Sequence, residues 1–288
     1  MPRHLVCLTF DFDALSLWIA RGITTPTPIS QGEFGAVGAE RILALLASHA
    51  ISATWFIPGH TLETYPALCT RIHAAGHEIA HHGYAHEAPV SLTSAEEEAV
   101  LVRGNEAIRR LTGAPALGYR SPAWDLSTHS VDLLLAHGFL YDSSMMANDY
   151  TPYRARHGDV IRPDQPAKFG EPTRLIEAPV SWSLDDFPHF EYLWTPTHLQ
   201  PGLARADDVL ANWLDDYRYL ARTLEWGVIT YTFHPQVIGR GHRMLLLERL
   251  IEELTRLGAT FARLDSVARE FDARCPMNAM SPETNLPD

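Results

Sequence analysis

A chain of 288 residues with 46% hydrophobic and 20% charged residues has enough apolar material for a full core, which excludes global disorder. Its 35 acidic against 23 basic residues leave a net charge of -12, which excludes the basic face that nucleic acid or an anionic membrane would need. Fifteen histidines raise the question of a metal before any position is read.

Strand and helix alternate along the chain. Residues 5–10 read as a buried strand, followed by helical spacing over 37–49. Residues 54–57 form a second predicted strand with a helix over 62–75, and 78–82 a third, less apolar strand. A helix over 94–111 opens on Ser94 and Glu97, which are spaced as in a capping box. Short strands over 118–120 and 139–142 flank a helix over 127–137. A helix over 206–226, a strong strand over 227–233 and a helix over 242–257 complete the pattern. Gly113, Gly138 and Gly258 sit where helix C-terminal glycines belong.

This alternation predicts an α/β fold with a parallel sheet or barrel and its chemistry at the C-terminal strand ends. Segments 20–35 and 148–205 are rich in Pro, Gly and aromatics, Phe34 among them, and are expected to be loop insertions bordering the site. Residues 1–273 read as one domain and 274–288 as a disordered or interface tail. Cys7, Cys69 and Cys275 include no Cys-x-x-Cys pair, so buried thiols in a reducing compartment are expected. The N-terminus lacks the pattern of a signal peptide, and no apolar run reaches the ~18 residues of a membrane span. The expected location is cytoplasmic.

Asp11-Phe12-Asp13 directly follows the first strand. Carboxylates at i and i+2 of an extended chain point the same way, so one can ligate a metal while the other handles a proton. Turn formation alone also places Asp at strand ends. Within residues 76–87, GHEIAHHGYAHE, His82 and His86 are four apart, which brings two imidazoles together on a helix or a tight turn. Asp13, His82 and His86 would supply the three protein ligands of an open, zinc-type catalytic site. His77 and His81 read as packing or supporting residues. Arg120 at a strand end can clamp a carboxylate, while Pro122 fixes the following turn and Trp124 walls a pocket. His234 ends a strong strand, a suitable place for a general acid, and either Asp185 or Asp186 could orient it. Trp124, Trp182, Pro122 and Phe34 are the expected substrate contacts.

Five motifs arrive in order: TFDFD (9–13), HHGYAHE (81–87), RSP (120–122), SWSLDD (181–186) and TYTFHP (230–235). With them the chain resembles the polysaccharide deacetylase superfamily, carbohydrate esterase family 4, over residues 5 to 271. The resemblance implies a distorted, partly open TIM-like (β/α) barrel with a divalent metal, Zn2+ foremost, on Asp13, His82 and His86. It also implies Asp11 as general base held by Arg120, and His234 as general acid steered by Asp185 or Asp186. Sugar deacetylases place their two acids side by side, whereas Phe12 separates them here. That spacing is similar to the subgroup of cyclic imide hydrolases, allantoinases and cytoplasmic peptidoglycan-deacetylase-like proteins. WFIPGHTLETYP (55–66), YDSSMMANDYTPY (141–153) and PVSWSLDDFPHFEY (179–192) also have the look of that subgroup. Its allantoinases do not depend on the three-ligand metal; here all three ligands are present, so metal dependence is expected.

The aromatic insertions suggest a small, flat substrate. The expected reaction is hydrolysis of a non-peptide C–N bond in a small cyclic imide or amide. An N-acetylated sugar or peptidoglycan fragment is the alternative substrate. A catalytically silent carbohydrate- or metal-binding protein is the alternative from another class. The resemblance further implies a homo-oligomer.

Overall fold

The structure, a computed structural model, describes residues 2–195 and 198–277. β1 (Arg3–Asp11) leads through α1 (Ser16–Ala20) and α2 (Pro26–Ser48) to β2 (Thr54–Ile57). α3 (Gly59–Thr64) and α4 (Pro66–Ala74) precede β3 (Glu78–His81), and α5 (Ser94–Thr112) precedes β4 (Gly118–Tyr119). α6 (Ser130–Ala136), β5 (Tyr141–Asp142), β6 (Tyr153–His157) and β7 (Glu171–Glu177) follow. Next come α7 (Asp186–Phe190) and the hairpin β8 (Leu193–Thr195) and β9 (His198–Gln200). α8 (Ala206–Thr223), β10 (Trp226–Phe233), α9 (Pro235–Ile238), α10 (Gly241–Arg256), β11 (Thr260–Phe261) and α11 (Leu264–Arg274) end the described fold.

The main sheet runs β10-β1-β2-β3-β4-β5-β7-β6, with β11 also paired to β1. All its pairings are parallel except β6 on β7. The segment after β7 curls back to bridge β10 at Asp185 and Thr232, so the sheet is a barrel closed only at its catalytic end. This is the (β/α) barrel of polysaccharide deacetylase type that the sequence predicts.

Strand period explains how the barrel is filled. On β1, Val6, Leu8 and Phe10 pack under the surrounding helices, whereas Leu5 and Cys7 join the inner cluster. Val228 of β10, Phe56 of β2, Ala80 of β3 and Tyr141 of β5 share that inner cluster, and Leu264, Val267, Ala268 and Phe271 of α11 pack against it. Counting on by twos, the inner face of each strand arrives at Asp11, His82, Arg120 and His234. The site is therefore the top layer of the barrel interior. Outside, α8 buries Val209, Leu210, Trp213, Leu214, Tyr217 and Leu220, a helical stripe worth roughly 2 kcal/mol per large side chain.

Several expectations need correction. Residues 26–35 are the first turns of a 23-residue helix rather than a loop. Pro26 occupies the first turn, where its missing N–H costs nothing. Gly32, Gly35 and Gly38 recur every third residue on its buried face. A Cβ at Gly38 would lie 1.9 Å from the Pro235 carbonyl oxygen, so glycine lets α2 press directly on the turn that carries His234. The helix over 62–75 is two helices, broken at Tyr65-Pro66. The capping box of α5 uses Thr93 and Glu96 instead of Ser94 and Glu97. Glu97 is buried and accepts hydrogen bonds from Ser127 and Ser130. Segment 148–205 contains β6, β7, α7 and the β8–β9 hairpin, and is less irregular than its composition suggests.

Gly113, Gly138 and Gly258 all adopt positive φ after a helix. Cys7 and Cys69 are buried free thiols and Cys275 is exposed. Burial pushes the Cys69 thiol up to about 12 and Cys7 higher still. No described helix is long and apolar enough to cross a membrane. Residues 278–288 of the expected tail lie outside the described residues.

Candidate active site

A pocket of about 360 Å³ opens at the C-terminal end of the barrel strands, lined by Asp11, Asp13, His82, His86, Trp124, Trp182, Asp185 and His234. Leu17, Arg21, Ala123, Phe187, Pro188 and Gln200 complete its walls. Neighbouring backbone is held in unusual geometry. Ala14, His86, Ala123 and Trp124 all take positive φ, which non-glycine residues accept only where surrounding contacts impose it.

Asp13 is fully buried, and neither of its carboxylate oxygens has a hydrogen-bond partner. Its main chain is fixed instead, since the carbonyl accepts from Ser16 Oγ at 2.6 Å and Thr61 Oγ1 at 2.7 Å. His82 Nε2 stands 3.4 Å from Asp13 Oδ1, and His86 Nε2 stands 3.8 Å from Oδ2. Both separations exceed a normal hydrogen bond. His82 Nδ1 donates to the Arg120 carbonyl at 2.7 Å, which aims the Nε2 lone pair at the carboxylate. One ligand atom from each of Asp13, His82 and His86 falls within a span of 4.8 Å. Two orphaned carboxylate oxygens facing imidazole nitrogens repel one another unless a cation or proton lies between, so these residues fit a divalent metal. Burial alone would raise the Asp13 carboxyl, but the two imidazoles hold it well below the usual range. His86 is lowered to about 4 by burial, which keeps its ring neutral as a ligand must be.

Arg120 organises the Asp11 side of the pocket. Its side chain is fully buried, and Nη1 donates to Asp11 Oδ1 at 2.8 Å and to Thr9 Oγ1 at 2.9 Å. Nε donates to the Ser143 carbonyl at 3.0 Å and Nη2 to Ser143 Oγ at 2.9 Å. The guanidinium lies 4.1 Å from the centre of the Phe56 ring. One residue thus holds Asp11 through its side chain and His82 through its backbone.

Across the pocket, His234 Nδ1 donates to Asp186 Oδ1 at 2.8 Å, and its backbone N–H reaches the same carboxylate at 3.0 Å. Asp185 Oδ1 is 3.4 Å from that ring nitrogen and accepts from the Phe187 N–H at 2.8 Å. Asp186 is therefore the orienting partner, and Asp185 caps α7 while adding charge. Burial would lower His234, yet the two carboxylates raise it well above its ordinary value. Burial likewise lifts the Asp186 carboxyl to about 7. His234 Nε2 faces the pocket, 3.9 Å from Asp13 Oδ2.

Trp124 and Trp182 stack at 4.1 Å and 20° to form one aromatic wall. Two expected substrate contacts are not there. Phe34 lies on α2 beneath Arg240, 3.5 Å from the guanidinium carbon, and does not line the pocket. Pro122 is buried at the turn, where its ring meets Gly83. His77 and His81 are packing residues. Nδ1 of His77 accepts from the Ala53 N–H and Nδ1 of His81 from the Gly83 N–H, and burial lowers them to about 4 and about 3. Leu17 carries no motif, Arg21 and Gln200 are marked only by the 20–35 and 148–205 segments, and Phe187-Pro188 belongs to the PVSWSLDDFPHFEY run.

The sequence profile for polysaccharide deacetylase matches residues 1–141. A peptidoglycan deacetylase of Helicobacter pylori is 36% identical, over 94% of this chain and 97% of its own length. The chain belongs to the polysaccharide deacetylase family. Enzymes of this family hydrolyse C–N amide bonds, and this chain is such a hydrolase. A Mycobacterium smegmatis structure assigned as a polysaccharide deacetylase superposes with a TM-score of 0.82 at 30% identity, covering 98% of this chain and 95% of that one. A solved allantoinase shares the fold at a TM-score of 0.77 and 21% identity, covering 96% of this chain and 92% of that one.

Proposed function

We propose that the protein is a metal-dependent deacetylase of N-acetylated amino sugars. The observation that carries this reading is one pocket holding the orphaned Asp13 carboxylate between two imidazoles, with Asp11–Arg120 and His234–Asp186 beside it. Asp13, His82 and His86 would hold the ion, and their N,N,O donor set suits Zn2+. When bound, zinc supplies Lewis-acid polarisation of a carbonyl and brings the pKa of water toward about 7.

The protein's own groups do the rest. Asp11, oriented by its ion pair with Arg120, takes the proton of the attacking water. His234, held by Asp186 through Nδ1, presents Nε2 to the pocket and protonates the departing nitrogen. Without that proton an amide nitrogen is too basic to leave. The Trp124–Trp182 wall offers a flat apolar face to the C–H side of a pyranose ring. The name of the Helicobacter pylori relative supports a glycan substrate. A second reading, a small cyclic imide, is favoured by the pocket volume of about 360 Å³, which suits a small molecule better than a polymer. A cytoplasmic location and a homo-oligomer belong to the same proposal and are tested by cell fractionation and light scattering.

The deciding experiment assays zinc-loaded protein in parallel on N-acetylglucosamine, its β-1,4 oligomers and succinimide-type rings. Acetate release from the sugars, lowered about 10²–10⁴-fold by Asp11→Asn, is the expected outcome. Ring opening without acetate release would transfer the assignment to imides. Metal uptake with no turnover on any of them would make the protein a silent binder.

A further inference from the structure

The polar partners within the pocket leave one guanidinium without a hydrogen-bonded counterpart. Asp11 is paired with Arg120, Asp185 and Asp186 face His234, and Asp13 faces the imidazoles of His82 and His86. Arg21 also lines this pocket, yet it forms neither an ion pair nor a side-chain hydrogen bond among the described residues. Its guanidinium carbon lies 5.9 Å from the ring centre of buried Trp18 and 5.7 Å from that of Phe187. Two aromatic rings therefore position the cation without neutralising it.

Its main chain is positioned as well. Arg21 directly follows α1, which starts three residues after Asp13 and is tied to it by the Ser16 hydroxyl and backbone N–H, both bonded to the Asp13 carbonyl. The main chain of Arg21 thus stands at a fixed place relative to the proposed metal ligands, while its side chain is open to solvent. Asp13 and Glu191 are the acids whose charge it feels, neither within ion-pair distance, so its N–H groups are open to an anion carried by a ligand. One guanidinium with no second unpaired cation among the described pocket residues matches a monoanion, whereas a phosphate dianion usually calls for several donors.

We infer that Arg21 anchors a carboxylate carried by the substrate itself, so that the preferred amide belongs to an acid-bearing N-acyl compound. This inference rests on the hydrolase reading above and narrows its substrate class. Arg21 is a specificity residue, remote from the bond that breaks. It acts through affinity and leaves the proton transfers to Asp11 and His234.

A matched pair of probes isolates the effect. N-acetylmuramic acid is N-acetylglucosamine with a lactyl carboxylate added at O3. Wild-type protein should hydrolyse the acid with a kcat/KM about 10–100-fold above that of the neutral sugar. Arg21→Gln should remove that preference through KM, with kcat and the neutral sugar little affected, and Arg21→Lys should restore part of it. Equal loss on both sugars, or a preference that survives Arg21→Gln, would overturn the inference. Calorimetric binding of the same pair to the Asp11→Asn protein, with and without Arg21→Gln, tests it apart from turnover. There the acid should bind more tightly only when Arg21 is present, and equal binding would refute the role of Arg21. If neither sugar is hydrolysed while that binding difference holds, the deacetylase reading fails and the carboxylate anchor stands.

Discussion

Replacing Arg120 with Met tests the buried ion pair on which the base depends. The flexible apolar side chain of Met fills much of the space, but four hydrogen bonds disappear, to Asp11, Thr9, the Ser143 carbonyl and Ser143 Oγ. The larger cost falls on Asp11, which is fully buried and would keep a negative charge without a partner. Breaking one side of such a pair costs about 3–5 kcal/mol, whereas removing both charges is often close to neutral. Arg120→Met should therefore lose about 3–5 kcal/mol, and adding Asp11→Asn should recover about 2 kcal/mol or more of that loss. Urea unfolding of the wild type, both single variants and the double variant gives the coupling directly. Chelator keeps metal linkage out of the comparison. If the two single losses simply add, the ion pair is not what holds Arg120, and the account of Asp11 fails with it.

Three other outcomes follow from particular contacts. Glu78 is buried at the far end of the barrel, where it accepts from Thr54, Tyr141 and the Asp265 N–H, and burial raises its carboxyl from 4.5 to about 7. The folded state holds that proton more tightly, so this contribution of about 3 kcal/mol is complete below about pH 4.5 and is lost as pH rises through 7. Glu78→Gln should flatten that part of the stability–pH curve, and parallel curves for variant and wild type would rule the assignment out. Asp186→Asn should lower kcat about 10–100-fold, since it removes the charge bonded to Nδ1 of His234. Asp185→Ala should act less on kcat and more on stability, by about 1 kcal/mol, through the cap of α7, and a reversed order of kcat effects would exchange the two roles. Gly38→Ala should destabilise the protein and reduce kcat, because a methyl group there displaces the His234 turn; wild-type values of both would show that α2 can yield.

How much the sequence discloses depends on whether a feature is local. Strand period was legible, and it alone carries Asp11, His82, Arg120 and His234 to the same inner face. Helix C-terminal glycines were legible for the same reason, since the positive φ is a property of one residue. The start of α2 was not, because its two prolines and three glycines have low helix propensity, and the glycines are justified only by the close approach of the Asp13 and His234 turns. Asp185 and Asp186 could not be told apart, since their difference is which carboxylate the α7 cap occupies. Phe34 failed as a substrate contact because helical geometry turns it toward Arg41 and Arg240. Arg21 was legible only as part of the 20–35 segment expected to border the site, because its own meaning comes from missing an ion-pair partner that only three dimensions reveal.

The central claim is that Asp13, His82 and His86 form a metal site. Elemental analysis of purified wild type and of Asp13→Ala, His82→Ala and His86→Ala, each dialysed against limiting zinc, tests it most directly. The account predicts about one zinc per chain in the wild type and a large loss in every variant. Full zinc content in all three variants would contradict it.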